Sequence, residues 1–86
     1  MKIIYTKHAL NKFPLLNSLG WDISKRKIAQ TVKNPQWTGV SRFGQKTAMS
    51  LLDKTHILRV IFDQEGDIIK VITFHPARRG KYETTL

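Results

Sequence analysis

Arg59 is the residue whose position in the sequence most clearly suggests chemistry. It interrupts the apolar, β-prone stretch 56–63, and a charge within such a stretch must be paired, solvated or directed at an anion. A guanidinium presents a planar fork of donors that matches phosphate oxygens. Arg59 is therefore a candidate phosphate-binding residue. The alternative is an arginine whose stem covers apolar surface while its charged end reaches solvent.

Two basic clusters could bind a phosphate backbone. Residues 75–82 combine three cations with a histidine and with Tyr82, a side chain that can stack on a base or donate a proton. The second cluster, residues 25–27, opens a predicted helix. The alternatives are a solvated basic tail and a solvated helix face. The candidate RNA-binding residues are Arg78, Arg79, Lys81, Lys25, Arg26 and Lys27.

Histidines are the default candidates for proton transfer, because an imidazole titrates near neutral pH. Cleavage of RNA without a metal needs a base for the 2′-hydroxyl proton, cations for the phosphate and an acid for the leaving 5′-oxygen. His8, His75 and Tyr82 are the candidates for these proton transfers, and His56 is a weaker one; each histidine could instead be structural. Their spacing matches no metal-ligand motif, so we expect neither a metal nor a cofactor.

The charge balance points to a polyanionic partner. The 86 residues include 15 Lys and Arg against 6 Asp and Glu, giving a net charge of +9. Such a field attracts nucleic acid, here expected to be RNA, an anionic membrane or an acidic protein. The chain has no cysteine, no apolar run of membrane-spanning length and no signal-like N-terminus. We therefore expect a single cytoplasmic domain spanning residues 1–86, with no membrane contact.

The N-terminal half reads as a strand followed by helices. Residues 3–5 are β-prone, and Thr6 offers an N-cap to a helix that Pro14 either interrupts or restarts before Gly20. Ser24 is the predicted N-cap of a second helix, which the 34–35 Asn-Pro pair ends.

The C-terminal half reads as strands, at residues 47–53, 56–63 and 68–75. Residues 38–45 could add a short strand or a loop. Helices followed by an antiparallel meander indicate an α+β domain, with an N-terminal strand and two helices packed on the sheet.

Two-residue turns at 54–55 and 65–66 would fix the strand register. That register pairs Met49 with Val60 and His56 with His75. It turns Met49, Leu51, Leu58, Val60, Phe62, Ile69 and Val71 towards the helices, and it places Ala48, Ser50, Leu52, Ile57, Arg59, Ile61, Lys70, Ile72 and Phe74 on the opposite face. A shallow site would then form around Arg59, between the small side chains of Ala48 and Ser50.

Several short strings in this chain resemble an uncharacterised family of the RelE/ParE toxin superfamily. They are TKHA at 6–9, IS at 23–24, HILRVIF at 56–62, IIKVITFHP at 68–76 and RRGKY at 78–82. The resemblance extends over nearly the whole chain in the same order of elements. It implies a RelE-like fold, and a gene neighbour that encodes an acidic antitoxin.

The resemblance also implies a choice of functions. Many relatives are metal-independent endoribonucleases that cut mRNA, usually on the ribosome, whereas others inhibit gyrase or have no known activity. We therefore predict an endoribonuclease of the mRNA interferase kind. The alternative is a non-catalytic basic module that binds nucleic acid, the ribosome or gyrase.

Overall fold

The computed structural model describes residues 1–80, and within them two helices cover one side of a five-stranded sheet. The elements are β1 (Lys2–Tyr5), α1 (Lys7–Ser18), α2 (Lys25–Lys33), β2 (Trp37–Val40), β3 (Lys46–Leu51), β4 (His56–Glu65) and β5 (Ile68–Arg78). The strand order is β1-β5-β4-β3-β2. Strands β2 to β5 form an antiparallel meander, as predicted, whereas β1 joins the edge parallel to β5 and makes the sheet mixed.

Both helices begin where the sequence predicts. Thr6 caps α1 by accepting a hydrogen bond from Ala9 N at 3.1 Å, and Ser24 caps α2 in the same way from Lys27 N at 3.1 Å. The N-cap oxygen satisfies one backbone donor that has no partner within the helix. The prediction of a break at Pro14 is wrong, because α1 runs through it without interruption.

Burial explains why α1 tolerates its proline. Pro14 lacks the N–H that would bond to the carbonyl four residues earlier. Ala9 before it and Leu16 after it are both buried in the same core. Packing therefore holds the two halves in line. No helix within residues 1–80 is long and apolar enough to cross a membrane.

The loop between β3 and β4 is one residue longer than predicted. Leu52 N donates to His56 O at 3.0 Å, so three residues form the loop where two were expected. Asp53 stabilises this loop, since its Oδ1 accepts from Thr55 N and from His56 N, each at 2.8 Å. The longer loop shifts the β3–β4 register by one residue, which exchanges the two faces of β3 relative to β4.

The β4–β5 turn also differs, and β5 contains a bulge. Glu65 pairs with Ile68, so the turn lies one residue later than predicted, with Gly66 in the left-handed region at φ +60°. Further along, the register shifts between Ile61 and Phe62, which leaves Ile72 as an extra residue. An extra residue reverses the facing of every side chain beyond it.

These shifts redistribute the side chains between the two faces. The core beneath the helices contains the predicted Leu58, Val60, Phe62, Ile69 and Val71, together with Ala48 and Phe74, which were predicted on the opposite face. Ser50 also turns to the helices, where its Oγ lies 2.6 Å from Thr31 Oγ1. Met49 and Leu51 lie on the other side, in register with Arg59 and Ile57. The predicted site between Ala48 and Ser50 therefore does not form.

Candidate functional site

Four side chains form a row across the face that neither helix covers, called the Arg59 face below. Trp37 on β2 pairs with Met49 on β3, Met49 with Arg59 on β4, and Arg59 with His75 on β5. Directly opposed residues of antiparallel strands have Cβ atoms about 4.5–5.5 Å apart. The row therefore places a guanidinium beside an imidazole, and both residues are half-buried.

The bulge at Ile72 is what brings His75 to this row. Thr6 binds the two backbone carbonyls at the bulge. Its N–H donates to Val71 O at 3.0 Å, and its hydroxyl donates to Ile72 O at 2.8 Å. The Thr6 side chain thus caps α1 and fixes the bulge at once. Bulges commonly redirect a side chain next to a functional site, and here the redirected side chain is His75.

Lys12 provides a second support for β5 from the helix side. Its ammonium donates to Phe74 O at 2.9 Å, at the residue that precedes His75. Partial burial lowers the pKa of Lys12, because desolvation disfavours the charged form. Helix α1 therefore holds β5 both at the bulge and at the residue before His75.

Arg79 joins the Arg59 face, whereas Arg78 does not. The Arg79 guanidinium lies 6.0 Å from the centroid of the Trp37 ring, and the backbone N–H of Arg79 donates to Thr55 O at 2.9 Å. Arg78 pairs with His56, whose ring packs edge-on against the core-side Trp21 at 4.9 Å. Alternation along the strand thus separates two arginines that the sequence treated alike.

A groove of about 420 Å³ lies on the other side of Arg59 from His75. Arg59 and Ile61 of β4 contribute to it, and the β2–β3 loop supplies further walls. Arg42 and Phe43 of that loop bring a second guanidinium and an exposed ring, with 5.0 Å between the guanidinium carbon and the ring centroid. The lining residues are Val40, Ser41, Arg42, Phe43, Gln45, Arg59 and Ile61.

Charge is unevenly distributed over the Arg59 face. Within residues 1–80, the carboxylates of β4 lie towards its C-terminal end, where Asp63 pairs with Lys70 and Glu65 ends the strand. Arg59 and the Trp37-stacked arginine lie towards the other end. The β2–β3 loop that carries Arg42 lies nearer the Asp63 end, because Lys46 pairs with Phe62 and Gly44 lines the same pocket as Asp63. The row is therefore the cationic part of this face, and the groove, which Arg59 also lines, extends from it towards the Asp63 end.

The basic cluster of α2 lies on the opposite side of the sheet. The Lys27 ammonium donates to Leu51 O at 2.9 Å, which ties α2 to the end of β3. The Lys25 ammonium lies 5.4 Å from the Tyr5 ring centroid, and burial raises the pKa of Tyr5. Arg26 is exposed beside them. The α2 cluster and Arg59 thus do not form one surface.

The remaining predicted residues fall outside the row. His8 is exposed in the first turn of α1, within the helical layer. His56, predicted to pair with His75, instead lies 3.2 Å from Asp53 Oδ1 through its Nδ1. The hydrogen bond from Thr55 N, above all, lowers the pKa of Asp53. Lys81 and Tyr82 lie outside the described residues.

Sequence reasoning missed Trp37, Arg42 and Phe43. Trp37 was not among the predicted site residues, and its place in the row follows only from the β2–β3 register. A usable signal did exist for the other two: an Arg-Phe pair stands beside Gly44 in a short segment between two strands, which is typical of a turn that presents its side chains to solvent.

No family model, curated protein or solved structure matches this chain. The candidate site therefore rests on its own geometry. Within residues 1–80, no three His, Asp or Glu side chains are grouped so that they could hold a metal ion. What the row and groove offer instead is guanidinium donors, one imidazole and aromatic rings on one surface.

Proposed function

We propose that the protein is a metal-independent endoribonuclease of the toxin type, with a RelE-like fold, and that it binds RNA on the Arg59 face. The observation that carries the proposal is the cross-strand pairing of Arg59 with His75. A phosphate-binding fork and a proton-transfer group are thereby adjacent on a cationic surface. A cytoplasmic RNA, free or on the ribosome, is the substrate that this chemistry would serve.

Arg59 supplies the electrostatic part of the reaction. The 2′-oxygen attacks the neighbouring phosphorus, so a 2′-O–P bond forms while the P–O5′ bond breaks. Negative charge accumulates on the non-bridging oxygens, and a guanidinium placed there stabilises that charge more than it stabilises the ground state. The products are a 2′,3′-cyclic phosphate and a 5′-hydroxyl.

His75 supplies one of the two proton transfers. The 2′-hydroxyl proton must leave and the 5′-oxygen must gain one, and an imidazole can perform either step near neutral pH. Tyr82, which the sequence suggests for the other step, lies outside the described residues. The half-buried position of His75 as the cross-strand partner of Arg59 supports a role for both side chains at one phosphate.

Cleavage of a 5′-labelled RNA, naked and on translating ribosomes, tests the proposal. Arg59→Ala should lower the cleavage rate by about 10²–10³-fold, as loss of a transition-state donor does. Arg59→Lys keeps the positive charge but loses the two-pronged guanidinium, so its cleavage rate should lie between those of the wild type and Arg59→Ala. Arg78→Ala is the matched control, because Arg78 is an exposed arginine on the helix side, and it should cleave as the wild type does.

The alternative is a non-catalytic RNA-, ribosome- or gyrase-binding module, and the same assay separates the two. Salt-dependent RNA binding by the wild type, weakened by Arg59→Ala but without cleavage on either substrate, would reject the enzyme and retain the RNA-binding surface. The charge of +9 also suits an acidic antitoxin as protein partner. An RNA-independent complex with such a protein is compatible with both functions.

A further inference from the structure

Phe43 is an exposed aromatic residue at the tip of the β2–β3 loop. Its side chain is 76% exposed, so it contributes little to the core. Single exposed apolar residues are common on protein surfaces, and exposure alone would mean nothing. Phe43, however, lines the same groove as Arg59, the residue that we place on the scissile phosphate.

The loop that presents Phe43 is held in one conformation by Ser41. The Ser41 hydroxyl oxygen accepts hydrogen bonds from Phe43 N at 3.2 Å and from Gln45 N at 3.1 Å, and Ser41 N donates to Gln45 O at 2.8 Å. Gly44 completes the turn at φ +81°, where a side chain would be strained. Ser41 itself is only 8% exposed. The ring is thus presented on a pre-organised turn, which reduces the entropy lost on binding.

Arg42 places a cation over one face of the ring, so the opposite face is the one on which a base can stack. Its guanidinium carbon lies 5.0 Å from the ring centroid, and it lines the same groove as Arg59. An aromatic face flanked by cations is the arrangement that binds an unpaired nucleotide, since the base stacks on the ring while the cations contact the phosphates.

We propose that Phe43 is a stacking platform for an unpaired base next to the phosphate held by Arg59, and that Arg42 contacts the backbone of that nucleotide. The substrate is then single-stranded RNA, because a base within a duplex has both faces covered by its neighbours. This inference rests on the proposed RNA-binding role of the Arg59 face and assigns that face its substrate class.

Binding of a fluorescein-labelled 12-nucleotide single strand, and of the duplex of the same sequence, tests the inference by anisotropy. Phe43→Leu keeps an apolar side chain but removes the planar ring, and it should weaken single-strand binding by about 5- to 150-fold, as loss of one stacked base does. Phe43→Trp should bind at least as tightly as the wild type. Leu15→Ala, at an exposed leucine of α1, is the control and should change nothing.

The salt dependence distinguishes the roles of the two loop residues. The slope of log K against log salt is negative, and Arg42→Ala should make it shallower by about 0.7, the value for one phosphate contact on a single strand. Phe43→Leu should leave that slope unchanged, because stacking releases no counterion. Urea denaturation first verifies that each variant unfolds at the same midpoint as the wild type, so that a change in binding does not reflect a loss of folding.

Three results would overturn all or part of the inference, and they can be told apart. If the wild type binds the single strand, Arg59→Ala weakens it, and Phe43→Leu binds like the wild type, the stacking platform is wrong while the RNA-binding face stands. If the wild type binds neither RNA at low salt, the platform and the proposed function fail together. A duplex bound as tightly as the single strand would also reject the assigned substrate class.

Discussion

Arg59 of β4 and His75 of β5 are direct cross-strand partners on the sheet face that neither helix covers. They are 16 positions apart in the sequence, and a regular two-stranded register with the expected turn would have placed them on opposite faces. The bulge at Ile72 makes them neighbours. This geometry leads to four predictions beyond those made with the two proposals.

If His75 transfers a proton, its removal should alter the pH dependence of cleavage more than the affinity for RNA. His75→Gln should lower the cleavage rate by about 10²–10⁴-fold and abolish the limb of the pH–rate profile near neutral pH. RNA affinity should change only slightly. Rates measured from about pH 5 to 9 on saturating RNA check this. Loss of that limb in His8→Gln instead would assign the transfer to the exposed histidine of α1.

Thr6 should stabilise the fold through the contacts made by its hydroxyl. Thr6→Val keeps the shape but leaves Ala9 N and Ile72 O without the partners they have at 3.1 and 2.8 Å. We expect the free energy of unfolding to fall by about 2–3 kcal/mol, from the lost N-cap and one further hydrogen bond. Urea denaturation followed by circular dichroism measures it.

Thr6→Ser is the control for the hydroxyl, because it retains both hydrogen bonds. It should unfold within about 0.5 kcal/mol of the wild type, the usual range for a mild surface substitution. If Thr6→Val unfolded within about 0.5 kcal/mol of Thr6→Ser, the hydroxyl would not stabilise the fold, and Thr6 would not fix the bulge in the way described.

Asp53 should make the stability acid-sensitive through the β3–β4 loop. Its pKa is lowered, chiefly by the hydrogen bond from Thr55 N, so the folded state favours the carboxylate. A lowered pKa gives stability that is present above the unfolded value of about 3.9 and is lost as pH falls through the folded value. Asp53→Asn keeps an acceptor oxygen but does not titrate.

The measurement compares urea midpoints of wild type and Asp53→Asn from about pH 2 to 6, spanning the titration of a carboxyl group. The urea midpoint of the wild type should exceed that of the variant by a constant amount above about pH 5. That advantage should shrink below about pH 4, where the Asp53 carboxylate becomes protonated. A difference independent of pH across this range would show that the charge on Asp53 does not stabilise the loop.

The Thr31–Ser50 pair tests the β3 register directly. Thr31 gives its single hydroxyl proton to Lys27 O at 2.8 Å, so Ser50 must be the donor in the 2.6 Å contact between the two hydroxyls. Thr31→Val leaves the buried Ser50 donor without that acceptor and should cost about 1–3 kcal/mol of unfolding free energy. Ser50→Ala leaves the Thr31 donor satisfied and should cost less.

The double variant completes a thermodynamic cycle. If the hydroxyls bond to each other, the Thr31→Val/Ser50→Ala protein should lose less stability than the sum of the single losses, by about 0.5 kcal/mol or more. Strict additivity would mean that the two side chains do not meet. It would then favour the register in which Ser50 faces away from the helices.

Local signals in the sequence located most of the helices and strands. Thr6 and Ser24 are side chains that satisfy backbone donors within three residues, and apolar alternation in β4 marks the positions that become core. These effects act over a few residues, so the sequence could reveal the α+β class, the helix starts and the unusual position of Arg59 as a charge in an apolar strand.

The composition of the site could not be obtained in the same way. The row depends on register, and register depends on one extra loop residue held by Asp53 and one extra strand residue held by Thr6. Thr6 lies 66 positions from Ile72, and no local propensity connects them. The same limit explains why Trp37 was missed, because its place in the row follows only from the β2–β3 register.

The sequence by itself determined the positive charge, the order of strands and helices, and the residue types able to bind phosphate and move a proton. Only the tertiary structure decided which of them meet: it put His75 and Arg79 on the Arg59 face and Arg78 and the α2 lysines on the other. The physical reason is that β side chains alternate with a period of two. A single inserted residue, stabilised by a contact distant in sequence, therefore exchanges the faces of everything beyond it.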